Sequence, residues 1–135
     1  MKKIYLLLSV LLSIPLCIAG CDDSLTNSQV DQTIIPSSNV SYAKYIQPVL
    51  TVKCASSGCH DDITKASSLS LTSYAGVTAS PVVVVKGSAQ TSELVWAIKG
   101  QSGTNPMPPP PNLIPLTANQ ITGISTWINE GAKNN

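Results

Sequence analysis

Phenylalanine and arginine are both absent from this 135-residue chain, and aromatic residues of any kind amount to 4%. Charged residues are also scarce, at 11%, and the formal net charge is +1. A nucleic-acid-binding surface neutralises phosphates with a dense basic footprint. None can be assembled here, so nucleic acid is excluded as a partner. The length allows one small domain and excludes a two-domain enzyme. An apolar content of 43% looks sufficient for a core, but much of its aliphatic part lies in a single N-terminal run.

Lys2 and Lys3 open that run, and Ile4 to Ile18 is almost continuously apolar. The stretch is too short, and wrongly flanked, for a permanent membrane span and reads as a secretory signal. Its end, Leu16-Cys17-Ile18-Ala19-Gly20-Cys21, resembles the lipobox of bacterial lipoproteins. That resemblance implies cleavage after residue 20 and lipidation of Cys21, with several acyl chains giving stable anchoring where one would be marginal. Residues 1–20 are therefore expected to be a signal peptide and residues 21–40 a flexible lipid-anchored tether, since Asp22 to Val40 is polar and lacks a sustained period. The expected location is the bacterial cell envelope, facing the periplasm or the cell surface. Asp22 and Asp23 fit a sorting signal, whose sense depends on the bacterial group.

Without residues 1–20 the chain keeps two cysteines free of lipid, Cys54 and Cys59, one histidine, His60, and one methionine, Met107. Residues 41–135 should form the domain. Ser41 is a good N-cap for a helix carrying Tyr42, Tyr45, Ile46, Val49 and Leu50, with Pro48 either kinking it or opening a second segment. Thr91 or Ser92 can cap a helix through Leu94 and Ile98 that ends near Gly100, and residues 61–81 read as loop with at most a short turn. Six of the ten prolines fall between Pro106 and Pro115, which dictates a stiff extended loop around Met107. Thr117-Ala118-Asn119-Gln120 has the form of a capping box before an apolar stripe of Ile121, Ile124, Trp127 and Ile128, with Gly131 as the stop. By default Trp96 and Trp127 are core residues, while Lys44, Lys53, Lys65, Lys86 and Lys99 are solvated.

The most informative run is Cys54-Ala55-Ser56-Ser57-Gly58-Cys59-His60. Two thiols followed at once by an imidazole are the equipment for c-type haem attachment. The usual spacing has two residues between the cysteines, whereas here there are four, so Ala55 to Gly58 must bulge, with Gly58 supplying a left-handed conformation. Either both cysteines bond to haem, or Cys59 alone does so and Ser56 takes the first cysteine's usual place. With the segments around Lys86-Gly87-Ser88, Met107-Pro108-Pro109 and Trp127-Ile128-Asn129-Glu130-Gly131, the chain resembles class I cytochromes c, particularly the small cytochrome domains of planctomycetes.

That resemblance implies a mostly α, cytochrome c-like fold, with three or more short helices and long loops around one covalent haem c. Cys54, Cys59, His60 and Met107 would bind the cofactor, with His60 and Met107 as the iron ligands. Imidazole and thioether together raise the reduction potential and leave no open position on iron. The implied activity is one-electron transfer between redox partner proteins, by a carrier rather than an enzyme, held at the membrane by its lipid. Haem would also make good the shortage of aromatics by giving Tyr45, Leu50 and Leu94, with Trp96, Ile121, Ile124 and Trp127, a flat apolar body to pack on.

Two other functions fit the same residues: a haem-based ligand-sensing or accessory domain with Met107 displaced from iron, and a haem-free binding lipoprotein stabilised by a Cys54–Cys59 disulfide. Zinc is disfavoured, because Cys54, Cys59 and His60 supply three ligands and, with Cys17 removed and Cys21 lipidated, no other Cys or His is left to close a structural tetrahedron. Met107 by itself is as compatible with core filling as with ligation. Asp61 and Asp62 read as loop residues rather than a catalytic pair.

Overall fold

The computed structural model describes residues 24–101, 103–111 and 114–135. The signal peptide assigned to residues 1–20, and Cys21, lie outside the described residues. The described chain is mostly helical and has no strand. In order it contains α1 (Asn27–Gln32), a π-helical turn (Tyr42–Ile46), α2 (Gln47–Lys53), a 3-10 turn (Ala66–Ser68), α3 (Tyr74–Val77), a second 3-10 turn (Ala89–Thr91), α4 (Glu93–Lys99) and α5 (Ala118–Asn129).

Caps set most of these boundaries. The Ser41 Oγ accepts the Lys44 N–H at the start of the π-helical turn, and Pro48 sits in the first turn of α2, where its missing N–H costs nothing. Ser92 precedes α4, which stops at Gly100 in the left-handed conformation. Thr117 and Gln120 form a reciprocal capping box at α5. The α5 stripe then buries Gln120, Gly123, Ile124, Trp127 and Ile128, spaced as one helix face demands. Val82 to Val85 is β-branched but pairs with no strand. Instead, its carbonyls at Val82 and Val83 accept the Glu93 and Leu94 N–H groups, and so hold this segment against the start of α4.

Residues 24–40 differ from the flexible tether expected of residues 21–40. Thr26 and Gln29 form a second capping box, α1 follows, and Val30, Ile35 and Val40 are buried in the common core. Side chains of α5 and the residue after it replace the backbone partners that a strand or helix would have given this strap. The Asn119 carboxamide accepts the Ile35 N–H at 2.8 Å and donates to its carbonyl at 3.1 Å. The Glu130 carboxylate accepts the N–H groups of Asn39 and Val40 at 2.6 and 2.9 Å. Every one of these contacts joins residues more than eighty positions apart, which is why no local pattern announced them.

Lys53 is also corrected, from solvated to buried. Its side chain is 1% exposed, and its ammonium lies 2.8 and 3.0 Å from the two oxygens of Asp31. The Gln120 carboxamide donates to Asp31 and to the Val30 carbonyl, closing the network. The hydrogen bond from Lys53 leads the causes that hold the Asp31 carboxyl below its ordinary value. A lowered folded-state pKa stabilises the protein above the unfolded value and loses that contribution as pH falls through the folded one. Asp31→Asn should therefore destabilise the protein by roughly 3 kcal/mol at neutral pH, because it leaves a buried ammonium without its counter-ion. Urea unfolding across the acid range should show a shallower loss of stability in Asp31→Asn than in the native chain. Equal slopes would exclude the pair as a source of acid sensitivity.

Candidate functional site

The end of α2 and the loop after it are folded by short hydrogen bonds that together solve a spacing problem. The Cys54 and Ala55 N–H groups both donate to the Leu50 carbonyl, which stops the helix. Cys59 N–H donates to the Ser56 carbonyl across a turn, and His60 N–H returns to the Cys54 carbonyl at 3.1 Å. Gly58 sits at φ +85°, with no atom within 4 Å of the place a Cβ would take, so backbone conformation alone is what calls for glycine there. Asp61 secures the loop from the other side by accepting N–H groups from Gly58, Ile63 and Thr64 at 2.7–2.9 Å. The Thr64 contact leads the causes that hold its carboxyl down to about 2. Asp62 accepts the hydroxyls of Ser70 and Thr72. Both carboxylates are thus occupied in shaping the loop.

His60 continues the pattern. Its N–H, its carbonyl and its ring are all engaged by backbone: the carbonyl accepts the Leu71 N–H at 2.9 Å, and Nδ1 lies 3.3 Å from the Leu69 carbonyl. A carbonyl can only accept, so Nδ1 carries a proton toward it, and Nε2 is the ring nitrogen left to serve as a donor to a metal. Met107 comes from the proline-rich loop, and its N–H donates to the Ala97 carbonyl of α4 at 2.9 Å.

These segments enclose a cavity of about 450 Å³, within the range of roughly 300–1,000 Å³ usual for small-molecule and cofactor sites. Cys54, Cys59, His60 and Met107 all line it, so the structure brings the four expected binding residues to one place. Leu69, Leu71, Val83, Leu94 and Ile98 supply much of the apolar wall, and Lys53 and Glu93 are its charged members. Cys54 and Cys59 are free thiols, and the disulfide weighed as an alternative is not formed. Burial, with the neighbouring Cys59 second, pushes the Cys54 thiol up to about 12, which keeps it in the neutral thiol form.

The donor set tests what the cavity suits. Among the described residues, no group of three or more His, Cys, Asp or Glu side chains converges to hold a metal ion. One imidazole and one thioether are too few for a bare ion. They match a metal that brings four equatorial donors in its own macrocycle, and a large apolar cavity with thiols on its wall matches that macrocycle. The residues present therefore fit a haem.

Residues 57–111 match the model of one protein family, Planctomycete cytochrome C. The match takes in Cys59, His60, Met107 and most of the cavity wall, while Lys53 and Cys54 precede its first residue. Over this stretch the chain is similar to a family of redox proteins that act as electron carriers. No curated protein and no solved structure matches the chain.

The wall of this cytochrome-like cavity corrects one expectation. Of the residues expected to pack on haem, Leu94 lines the cavity, whereas Leu50, Ile124 and Trp127 are buried in the core. Trp127 packs on Tyr42 at 5.2 Å, and Tyr42 meets Tyr74 edge-on, also at 5.2 Å. Trp96 is half-buried and donates its Nε1–H to the Gln90 carbonyl at 2.7 Å. Three of the aromatics, Tyr42, Tyr74 and Trp127, thus build a separate centre against α5. Leu69, Leu71, Val83 and Ile98 were not expected at the cavity, since they come from three separate segments without a shared period. Gly58→Ala should cost about 1 kcal/mol in denaturant unfolding, as expected for a left-handed L-residue in open space, and Gly58→Asn should cost less. Equal and negligible effects would show that the loop does not need this conformation.

Proposed function

We propose that this chain is a membrane-tethered monohaem c-type cytochrome that passes one electron at a time between redox partner proteins. The observation that carries the reading is the cavity in which two thiols, one tautomer-fixed imidazole and one thioether meet an apolar wall. Cys59 and Cys54 would hold haem c covalently, with His60 Nε2 and the Met107 sulfur as axial ligands. When bound, that group supplies an iron couple that changes by one electron.

The chain's own residues do the rest. The Leu69 carbonyl keeps the proton on His60 Nδ1, which leaves Nε2 as the donor and fixes the orientation of the ring. The Ala97 carbonyl ties down the backbone of Met107. Leu69, Leu71, Val83, Leu94 and Ile98 keep water from the cavity wall and so favour a less charged centre. An imidazole from His60 and a thioether from Met107 would together leave the iron without a position for a substrate, which suits a carrier rather than an enzyme. Partners should dock through a small, short-lived interface. No helix of the described residues is long and apolar enough to cross a membrane, and the lipid at Cys21 would provide the attachment, placing the domain in the cell envelope at the periplasmic or outer face.

Expression with a c-type maturation system, followed by a pyridine haemochrome spectrum, tests this directly. Covalent haem is expected, and its band position should report one or two thioether links. Its absence would sink the proposal. Met107→Ala should retain covalent haem but lose the far-red ferric band that marks sulfur on iron, and it should gain carbon monoxide binding in the reduced state. Ready binding by the native protein would instead favour a ligand sensor.

A further inference from the structure

The strap carries an apolar surface that the cavity does not use. Leu25 is 49% exposed and Ile34 is 74% exposed, on either side of α1. Between the strap and α2 runs a shallow groove of about 220 Å³, lined chiefly by Leu25, Val30, Ile35, Tyr45, Pro48 and Val49. Lys44 also lines it, with its ammonium 5.0 Å above the Tyr45 ring, and no carboxylate does so.

We propose that this face of the strap docks on the surface of the lipid bilayer. The inference rests on lipidation of Cys21 and names the surface that anchor would press against the membrane. The described chain begins at Ser24, three positions after Cys21, and its first exposed apolar side chain is Leu25. Four residues reach at most about 14 Å when fully extended. A folded strap therefore replaces the long leash that a disordered segment would give, and the groove is held close to the headgroups. Its chemistry suits that place: Leu25 and Ile34 are available to enter the acyl boundary, Tyr45 presents a ring with a polar tip, and Lys44 can extend its ammonium toward anionic lipid.

The test uses full-length protein, processed and lipidated in a bacterial host, then reconstituted into vesicles of phosphatidylethanolamine and phosphatidylglycerol. Hydroxyl-radical footprinting read by mass spectrometry compares it with residues 22–135 exported behind a non-lipoprotein signal, which carry no acyl chain. Oxidation of Leu25, Ile34 and Tyr45 should fall several-fold on vesicles, while Ile63 and Val82, both exposed elsewhere, keep their rates. Leu25→Glu with Ile34→Glu changes two exposed positions, and it should abolish protection of Tyr45 while the protein still floats with the vesicles. Unchanged rates at the three positions, or protection centred on Ile63, would overturn the docking face although the anchor stands. An intact mass without acyl addition at Cys21 would remove the anchor, and the docking face with it.

Discussion

A buried ammonium at the end of α2 governs how the rest of this structure fits together. Lys53 stands one residue before Cys54, lines the cavity, and is almost completely removed from water. Such a charge is tolerable only with a close counter-ion whose own lone pairs are satisfied. Asp31 is that counter-ion, and Gln120 completes its hydrogen bonding. One ion pair therefore joins the strap, the helix leading into the thiol-bearing loop, and α5. The strap is a structural element of the cavity domain for this reason.

The same logic of side chains standing in for regular backbone partners recurs around the cavity. Ser92 is fully buried, accepting the Val85 N–H and donating to the Ser88 carbonyl, so the loop before α4 is held without a strand. Asn129 accepts the Ala89 N–H, and Gly87 N–H donates to the Ile128 carbonyl, fastening that loop to the end of α5. Gln47 uses its amide to donate to Thr51 and to the Leu71 carbonyl while its oxygen accepts the Tyr42 hydroxyl. The Tyr42 phenol is pushed up to about 12 by burial and by Tyr74, which keeps it a neutral donor. The wall residue Leu71 is thereby tied to the aromatic centre, although none of those rings lines the cavity.

Features legible in the sequence were those whose cause is local. Ser41, Gly100 and Thr117 end or begin helices through residues within four positions of themselves, and the cysteine pair with His60 forms a single short run. The α5 stripe was readable because twelve residues repeat one period. The strap was not, because α1 is six residues long and buries only Val30. The next anchors, Ile35 and Val40, follow at intervals of five, which match neither helix nor strand. The burial of Lys53 is invisible locally for a related reason: lysine is normally solvated, and the carboxylate that permits its burial lies 22 positions away.

The four residues between Cys54 and Cys59 follow from the same local chemistry. A longer insert would ordinarily carry the second thiol and the histidine away from the first. Here the insert folds back: Ala55 N–H closes the helix, the Ser56 carbonyl receives Cys59 N–H, and Gly58 takes the positive φ that the turn needs. His60 N–H then meets the Cys54 carbonyl, so the histidine is fastened to the first cysteine by a direct hydrogen bond. The extra length is spent in a turn, and Asp61 holds that turn through three N–H groups. What differs between the thiols is setting, since Cys54 is buried beside Lys53 while Cys59 is half-buried. The similarity to the cytochrome family also begins after Cys54 and includes Cys59. Position at the cavity is therefore common to both cysteines, and the environment that governs their reactivity is not.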